Sequence, residues 1–359
     1  MTPFQNWGFG WQTLDRPLLL AGPCSAETEA QTLQSCHEAA EAGAHILRAG
    51  IWKPRTRANL FEGVGKVGLE WLKQAAAETQ LPCMVEVANA HHVEDALAAG
   101  IDALWIGART TVNPFSVQEV ADALRGTDIP VFIKNPINPD VNLWIGAFER
   151  LEAAGIHRLA AIHRGFSVPN SAPYRNKPKW DLAIALRLQM PGLQMINDPS
   201  HICGRRDLLL GVAQKAMDLN FEGLMIETHC SPDTAWTDAA QQLTGEGLQA
   251  LLAQIVIRKP SSDNEMLNDS LATLREDIDA LDAEILQLLG KRMEVSRNIG
   301  AYKDEHHITI FQYERWREIL QTRTKWGKNE HLSADFVHQF LNALHLESIK
   351  QQTEVMNKR

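Results

Sequence analysis

Along the first 260 residues, short apolar runs alternate with longer stretches whose apolar positions recur every three or four residues. The runs are RPLLLAGPC (16–24), HILRAG (45–50), PCMVEVA (82–88), ALWIGA (103–108), PVFIKN (130–135), LAAIHRG (159–165), QMINDPS (194–200) and GLMIETH (223–229). Such short β-branched or apolar runs fit strands, and the helical stretches between them, such as 26–42 and 205–219, make the alternation that of βα units. Eight such units in about 250 residues predict a closed (β/α)8 TIM barrel, with an open doubly wound sheet as the alternative.

The pattern changes near residue 260. RKPSSDNE (258–265) carries a proline, two serines and mixed charge without periodicity, which predicts a linker over 258–268 between a barrel domain (1–257) and a helical domain (269–359). No proline follows Pro260. Leu271, Leu274, Ile278, Leu281, Ile285 and Leu288 are alternately three and four apart, and the spacing runs on through Arg292 to Val295, Ile299 and Tyr302. Such a seam packs one helix against another. At 1.5 Å per residue, 270–303 would span roughly 50 Å, more than a domain of this size buries alone, so a partner chain in a homodimer is expected. Arg292 occupies an apolar position in the seam. An unpaired buried guanidinium costs several kcal/mol, so an anion must meet it, either an acidic residue of a coiled-coil partner or a ligand.

Charge narrows the partners. The 359 residues carry 35 Lys and Arg against 44 Asp and Glu, a net charge of -9, which disfavours nucleic acid and anionic membranes. Any anionic ligand must then be met by locally crowded cations, as in LRAGIWKPRTR (47–57), which holds Arg48, Lys53, Arg55 and Arg57. No window approaches the roughly 18 unbroken apolar residues of a membrane span, and MTPFQNWGFGWQ has neither a basic stretch nor an apolar core of a signal peptide. A cytoplasmic location is expected, and the residues before Arg16 are too few for a domain of their own. The five cysteines (24, 36, 83, 203 and 230) are scattered, odd in number and without a C-x-x-C pair, against both a disulfide framework and a zinc knuckle.

Barrel active sites are built at the carboxyl ends of the strands. In order, these ends carry Cys24, Arg48, Glu86, Arg109, Lys134, Arg164, His201 and Glu227. With Lys53 and Arg55 from the loop after Arg48, six cations would converge on one mouth, suited to small, multiply anionic molecules. Cys24, His201, Glu227 and Asp238 form a second set. Singly, Cys24 reads as a small buried hydrophobe, His201 as a helix cap and Asp238 as the start of a solvated face. Together, thiolate, imidazole and carboxylates suit a divalent transition metal such as Zn, Mn or Fe. His229 and Cys230 are neighbours without an assigned role. GVGKVG (63–68) matches G-x-G-x-x-G, but it follows RANLFE rather than an apolar strand, so a turn and helix start is expected there, not a dinucleotide loop.

The motifs AGPCS, KPRT (53–56), GART (107–110), IKNP (133–136), HRGF (163–166), DPSH (198–201) and MIETH (225–229) resemble those of 3-deoxy-D-arabino-heptulosonate 7-phosphate (DAHP) synthases of the short barrel type, over residues 17 to 257. The resemblance implies that Arg48, Lys53, Arg109, Lys134 and Arg164 bind phosphoenolpyruvate. By the same resemblance Arg55 and Thr56 bind erythrose 4-phosphate, and Cys24, His201, Glu227 and Asp238 hold one divalent ion, Mn, Fe, Zn or Co. The related octulosonate 8-phosphate synthases have a K-A-N-R loop where this chain has Lys53, Pro54, Arg55 and Thr56, which favours the four-carbon sugar. The implied reaction joins C3 of phosphoenolpyruvate to an aldehyde while water attacks C2 and phosphate leaves.

Residues 271–352 resemble the all-helical chorismate mutase domain, without gaps through LREDIDALDAEILQLLGKRMEVSRNIGAYK. The resemblance implies that Arg275, Arg292, Lys303, Arg315, Ser348 and Gln352 bind chorismate. Arg292 and the Arg275 of a second copy would hold its two carboxylates, and Lys303 and Gln352 its ether oxygen. Gln312 stands where that family usually has aspartate and Trp316 where it has glutamate near the substrate hydroxyl. The expected whole is a bifunctional shikimate-pathway enzyme whose tail, binding chorismate or prephenate, also inhibits the barrel. The alternatives are a tail that only senses ligand or dimerises, and an octulosonate synthase barrel.

Overall fold

The computed structural model describes residues 6, 7, 9, 17–53, 60–259 and 261–357. It divides into two compact units, Met1–Pro260 and Ser261–Arg359. In the first, eight parallel strands close into a barrel in sequence order: β1 (Leu18–Gly22), β2 (Ile46–Ala49), β3 (Cys83–Val87), β4 (Ala103–Ile106), β5 (Val131–Lys134), β6 (Leu159–His163), β7 (Gln194–Asn197) and β8 (Gly223–Glu227). Closure is made by β8 against β1, with Leu18 opposite Gly223 and Gly22 opposite Glu227. This settles the fold against the open sheet.

Alternation along each strand sorts its side chains. Leu18, Leu20, Ile46, Met84, Trp105, Phe132, Ile162, Ile196 and Met225 fill the barrel, joined by Trp7, whose ring meets Phe132 edge-on at 5.1 Å. Their neighbours Leu19, Leu47, Val85, Leu104, Ile133, Ala161, Met195 and Leu224 face outward into the larger core under the helices. Each buried side chain of this size contributes about 1.5–3 kcal/mol, which is why the strands read as continuous apolar runs. Thr28, Asn89, Asp140 and Thr244 cap their helices with side-chain oxygens. GVGKVG is a turn, with Gly63 and Gly65 at positive φ, leading into the helix Val67–Thr79.

The second unit is three helices: Glu265–Glu305, Tyr313–Asn329 and Ala334–Met356. The first starts inside the segment expected as linker, so that residues 265–268 are helical. Asn264 accepts a hydrogen bond from the Leu267 amide and caps it there. Its carboxyl half packs on the third helix through Met293, Ser296, Gly300 and Lys303. A Cβ on Gly300 would stand 2.9 Å from the Gln352 Cα, so glycine lets these two helices approach. The seam from Leu271 to Leu288 lies on the surface of the single chain, each of its six apolar side chains 40–63% exposed.

Candidate active sites

The same alternation that fills the barrel builds its rim. Ile46, Met84, Phe132, Ile162, Ile196 and Met225 point inward, so the residues two places on, Arg48, Glu86, Lys134, Arg164, Asp198 and Glu227, stand one layer higher on the same side. Cys24 follows β1 in the same phase after Gly22. That glycine has φ +147, and a Cβ there would lie 2.1 Å from the Arg48 carbonyl oxygen.

Three of the four expected metal ligands meet: one donor atom each from Cys24, Glu227 and Asp238 lie within 4.8 Å of one another. His201, on the short helix Pro199–Cys203, joins from the side, its Nε2 3.7 Å from Glu227 Oε1. Its Nδ1 is bound 2.8 Å from Asp198, the outer-shell arrangement that orients a ligating imidazole. Burial lowers the His201 pKa, against the pull of Asp198. Burial alone would raise the Asp198 carboxyl, but His201 and Lys134 hold it well below the usual range. Burial and Glu227 push the Cys24 thiol up to about 12. Thiol, imidazole and two carboxylates at one rim fit a divalent transition ion.

Cations ring this cage. Arg48 is fully buried, pairs with Glu227 at 3.0 Å and lies over the Trp105 ring at 4.8 Å. Lys134 pairs with Asp198 at 2.9 Å, and Lys53 donates to the Cys24 carbonyl at 2.9 Å and its sulfur at 3.0 Å. Arg164 is buried, has no carboxylate within ion-pair distance among the described residues, and burial pulls its guanidinium down to about 10. Arg109 is exposed on the short helix after β4. Arg55 and Thr56 lie outside the described residues.

The second unit holds a cavity of about 420 Å³ lined by Arg292, Lys303, Arg315, Ser348 and Gln352, five of the six residues expected there. Arg292 donates to Ser348 Oγ at 2.6 Å and Lys303 to the Ile310 carbonyl at 2.6 Å. Neither has a carboxylate partner among the described residues, whereas Arg315 pairs with Glu318. Burial lowers both Arg292 and Lys303, with Arg323 adding to the effect on Arg292. The sixth, Arg275, is exposed on the same helix 17 positions earlier. That is about 26 Å along the axis, beyond reach of its own chain's cavity.

The family description "DAHP synthetase I family" matches residues 13–258. The chain belongs to the DAHP synthetase I family. "Chorismate mutase type II" matches residues 274–353. Phospho-2-dehydro-3-deoxyheptonate aldolase of Thermotoga maritima is 28% identical over 238 residues, 66% of this chain and 68% of that protein. A crystal structure of that organism's DAHP synthase agrees with TM-score 0.61 at 27% identity, over 66% of this chain and 68% of the other. The 2-dehydro-3-deoxyphosphooctonate aldolase of Nitratidesulfovibrio vulgaris is 27% identical over 269 residues, 67% of this chain and 91% of that protein. The T-protein of Haemophilus influenzae is 33% identical over 86 residues, 24% of this chain, which spans about a quarter of that relative's length (23%). The chain is thus an enzyme with a DAHP synthase barrel and a chorismate mutase domain, and the DAHP synthase family is generally metal-dependent.

Several side chains of the synthase rim carry no strand-end signal. Arg175, in the loop after β6, donates to Asp238 at 2.9 Å and to Gln241 at 2.9 Å. Gln241 in turn donates to Glu227 at 2.7 Å, and Gln242 accepts from the Cys24 amide at 2.9 Å. Glu27 clasps the loop after β8: it accepts from the Trp236 amide at 2.7 Å and lies 3.4 Å from His229 Nε2, while Ser25 and Thr237 share a hydrogen bond of 2.6 Å. His229 thereby gains a place in the support of the Asp238 loop. Asp198 and Glu27 sit inside the quoted motifs DPSH and AGPCS or just beyond, the one signal that could have found them.

Proposed function

We propose that the barrel condenses phosphoenolpyruvate with erythrose 4-phosphate to DAHP, the first step of aromatic amino acid biosynthesis, and that the helical domain rearranges chorismate to prephenate. The observation that carries the first reading is the convergence of Cys24, Glu227 and Asp238 beside Arg48 and Lys53, with Lys134 paired to Asp198 next to them. Phosphoenolpyruvate carries a phosphate and a carboxylate, and Lys53, Arg109, Lys134 and Arg164, with Arg48 behind them, offer point charges and forks for both. Arg55 and Thr56 take the phosphate of the second substrate. Cys24, His201, Glu227 and Asp238 hold one divalent ion, Mn, Fe, Zn or Co, which would polarise the aldehyde or activate the attacking water. As C3 of phosphoenolpyruvate bonds to the aldehyde carbon and water attacks C2, these cations stabilise the crowded anion until phosphate leaves.

The cavity of the helical unit supports the second reading. Its reaction is pericyclic, so holding one conformer and stabilising charge on the breaking C–O bond suffice. Arg292 holds one carboxylate, Lys303 and Gln352 face the ether oxygen, and Arg315 and Ser348 complete the wall. The exposed seam packs against a second copy of the chain, whose Arg275 supplies the other carboxylate's partner. The homodimer works in the cytoplasm, and prephenate or chorismate bound in the helical domain inhibits the barrel.

The deciding experiment is a product assay of the full chain on both substrate sets. Synthesis of DAHP faster than condensation with arabinose 5-phosphate is expected. The reverse order would establish the octulosonate reading. Binding of chorismate without formation of prephenate would make the tail a sensor. Synthase rates unchanged by saturating prephenate at limiting substrate would remove the feedback.

A further inference from the structure

The ligand proposed for the helical cavity carries, besides two carboxylates and an ether oxygen, one secondary hydroxyl. Arg292, Arg315 and Lys303 are cations and donors only, suited to the anionic and ether oxygens. A bound alcohol that has left water needs an acceptor for its own proton, or its hydrogen bond is lost. His345 lines the same cavity, on the third helix, three residues before Ser348 and seven before Gln352, a spacing that puts the three side chains on one face. Its imidazole lies flat on the Trp316 indole, centroids 4.0 Å apart and planes 11° apart, with Phe311 at 5.8 Å.

Nε2 of this ring is closed off from solvent and has no hydrogen-bond partner among the described residues. Burial, with Arg292 and Lys303 nearby, lowers the His345 pKa, so the ring is neutral at neutral pH and one of its nitrogens is an acceptor. The other polar side chains on this wall serve less well. Trp316 can only donate, Gln312 is exposed to solvent, and Gln352, whose Oε1 is likewise buried without a hydrogen-bond partner among the described residues, is committed to the ether oxygen. We propose that His345 receives the substrate hydroxyl and makes the mutase select for it, with Trp316 holding the imidazole in place by stacking. This rests on the reading of the cavity as the chorismate site.

The test compares, in the full-length chain, the kcat/KM of chorismate with that of an analogue bearing hydrogen in place of the hydroxyl. The wild type is expected to prefer chorismate by about 10- to 100-fold, the range that a single unpaired polar group produces. His345→Phe keeps a ring on Trp316 and removes both nitrogens; it should turn over the analogue as the wild type does and lose the preference. His345→Leu repeats the test with a different shape, so that whichever variant retains analogue turnover decides, and His345→Gln, which keeps an acceptor, should retain most of the preference. Wild-type discrimination surviving in the Phe or Leu variant would overturn the proposal, as would its collapse in Gln312→Ala alone. A wild type that rearranges neither compound would sink the chorismate reading itself.

Discussion

Phe132 and Lys134, or Met225 and Glu227, are pairs two residues apart on one inward face, the first closing the barrel core and the second opening the rim. Rim chemistry is therefore tied to core packing, and side chains that hold the loops above it matter as much as the ligands. Glu27 is the clearest case, since its carboxylate secures Trp236 and His229 beside the segment that delivers Asp238. Glu27→Ala is expected to weaken metal affinity by about tenfold or more, as loss of an outer-shell support does, measured by titrating the metal-stripped protein. His163 illustrates a different cost. Its Nε2 donates to the Pro178 carbonyl, Asn197 faces Nδ1 at 3.1 Å, and burial lowers its pKa to about 4. Between about pH 6.5 and 4 the unfolded chain takes up a proton that the folded chain excludes, so stability is full above pH 6.5 and is lost as the pH falls towards 4, by up to about 3 kcal/mol. Thermal melts at pH 7.5 and 5 should show a smaller drop for His163→Gln than for the wild type.

At the scale of elements, the 41-residue helix Glu265–Glu305 does two jobs with one repeat. Its last third is half buried against the third helix, while its first two thirds present an apolar stripe that no other described residue of the helical unit covers. Leu281→Asp puts a charge on that stripe and, in a homodimer, puts two there. The expected outcome is a monomer by sedimentation velocity, with mutase activity down at least about 100-fold because the Arg275 proposed to come from the second copy would be gone. The repeat was legible in the sequence because leucines and isoleucines three and four apart leave no other account of themselves, and Arg292 was conspicuous for breaking it. The barrel was equally legible: eight apolar runs buried on both faces cannot be mistaken for half-exposed strands, and their last in-phase residues are polar. What escaped was contributed by irregular backbone. Arg175 and Gln241 sit in loops with no periodicity, and their roles exist only because β6 and β8 bring those loops together at one end of the barrel. The helix start at Glu265 escaped for a related reason, since Asn264 looks like a linker residue until its side chain is seen to cap.

For the molecule as a whole, the two proposed reactions make opposite demands on their sites, and that separates them experimentally. Condensation joins two phosphorylated substrates, so it needs several fixed cations, with the thiol and carboxylate cage to set the electrophile among them. Chorismate rearrangement forms and breaks its bonds within one molecule, and the cations of the helical cavity need only grip carboxylates and the departing oxygen. Incubation of the full chain with a strong chelator should therefore abolish DAHP formation and leave prephenate formation unchanged, with the synthase restored by adding back Mn or Fe. Arg292→Ala should do the converse, lowering mutase turnover at least about 100-fold while the synthase keeps its rate. Assaying both products in the same samples makes each activity the control for the other. Equal loss of both on Arg292→Ala would mean that the residue supports folding rather than substrate, because a guanidinium that only binds chorismate has no route to the barrel's chemistry in the absence of ligand.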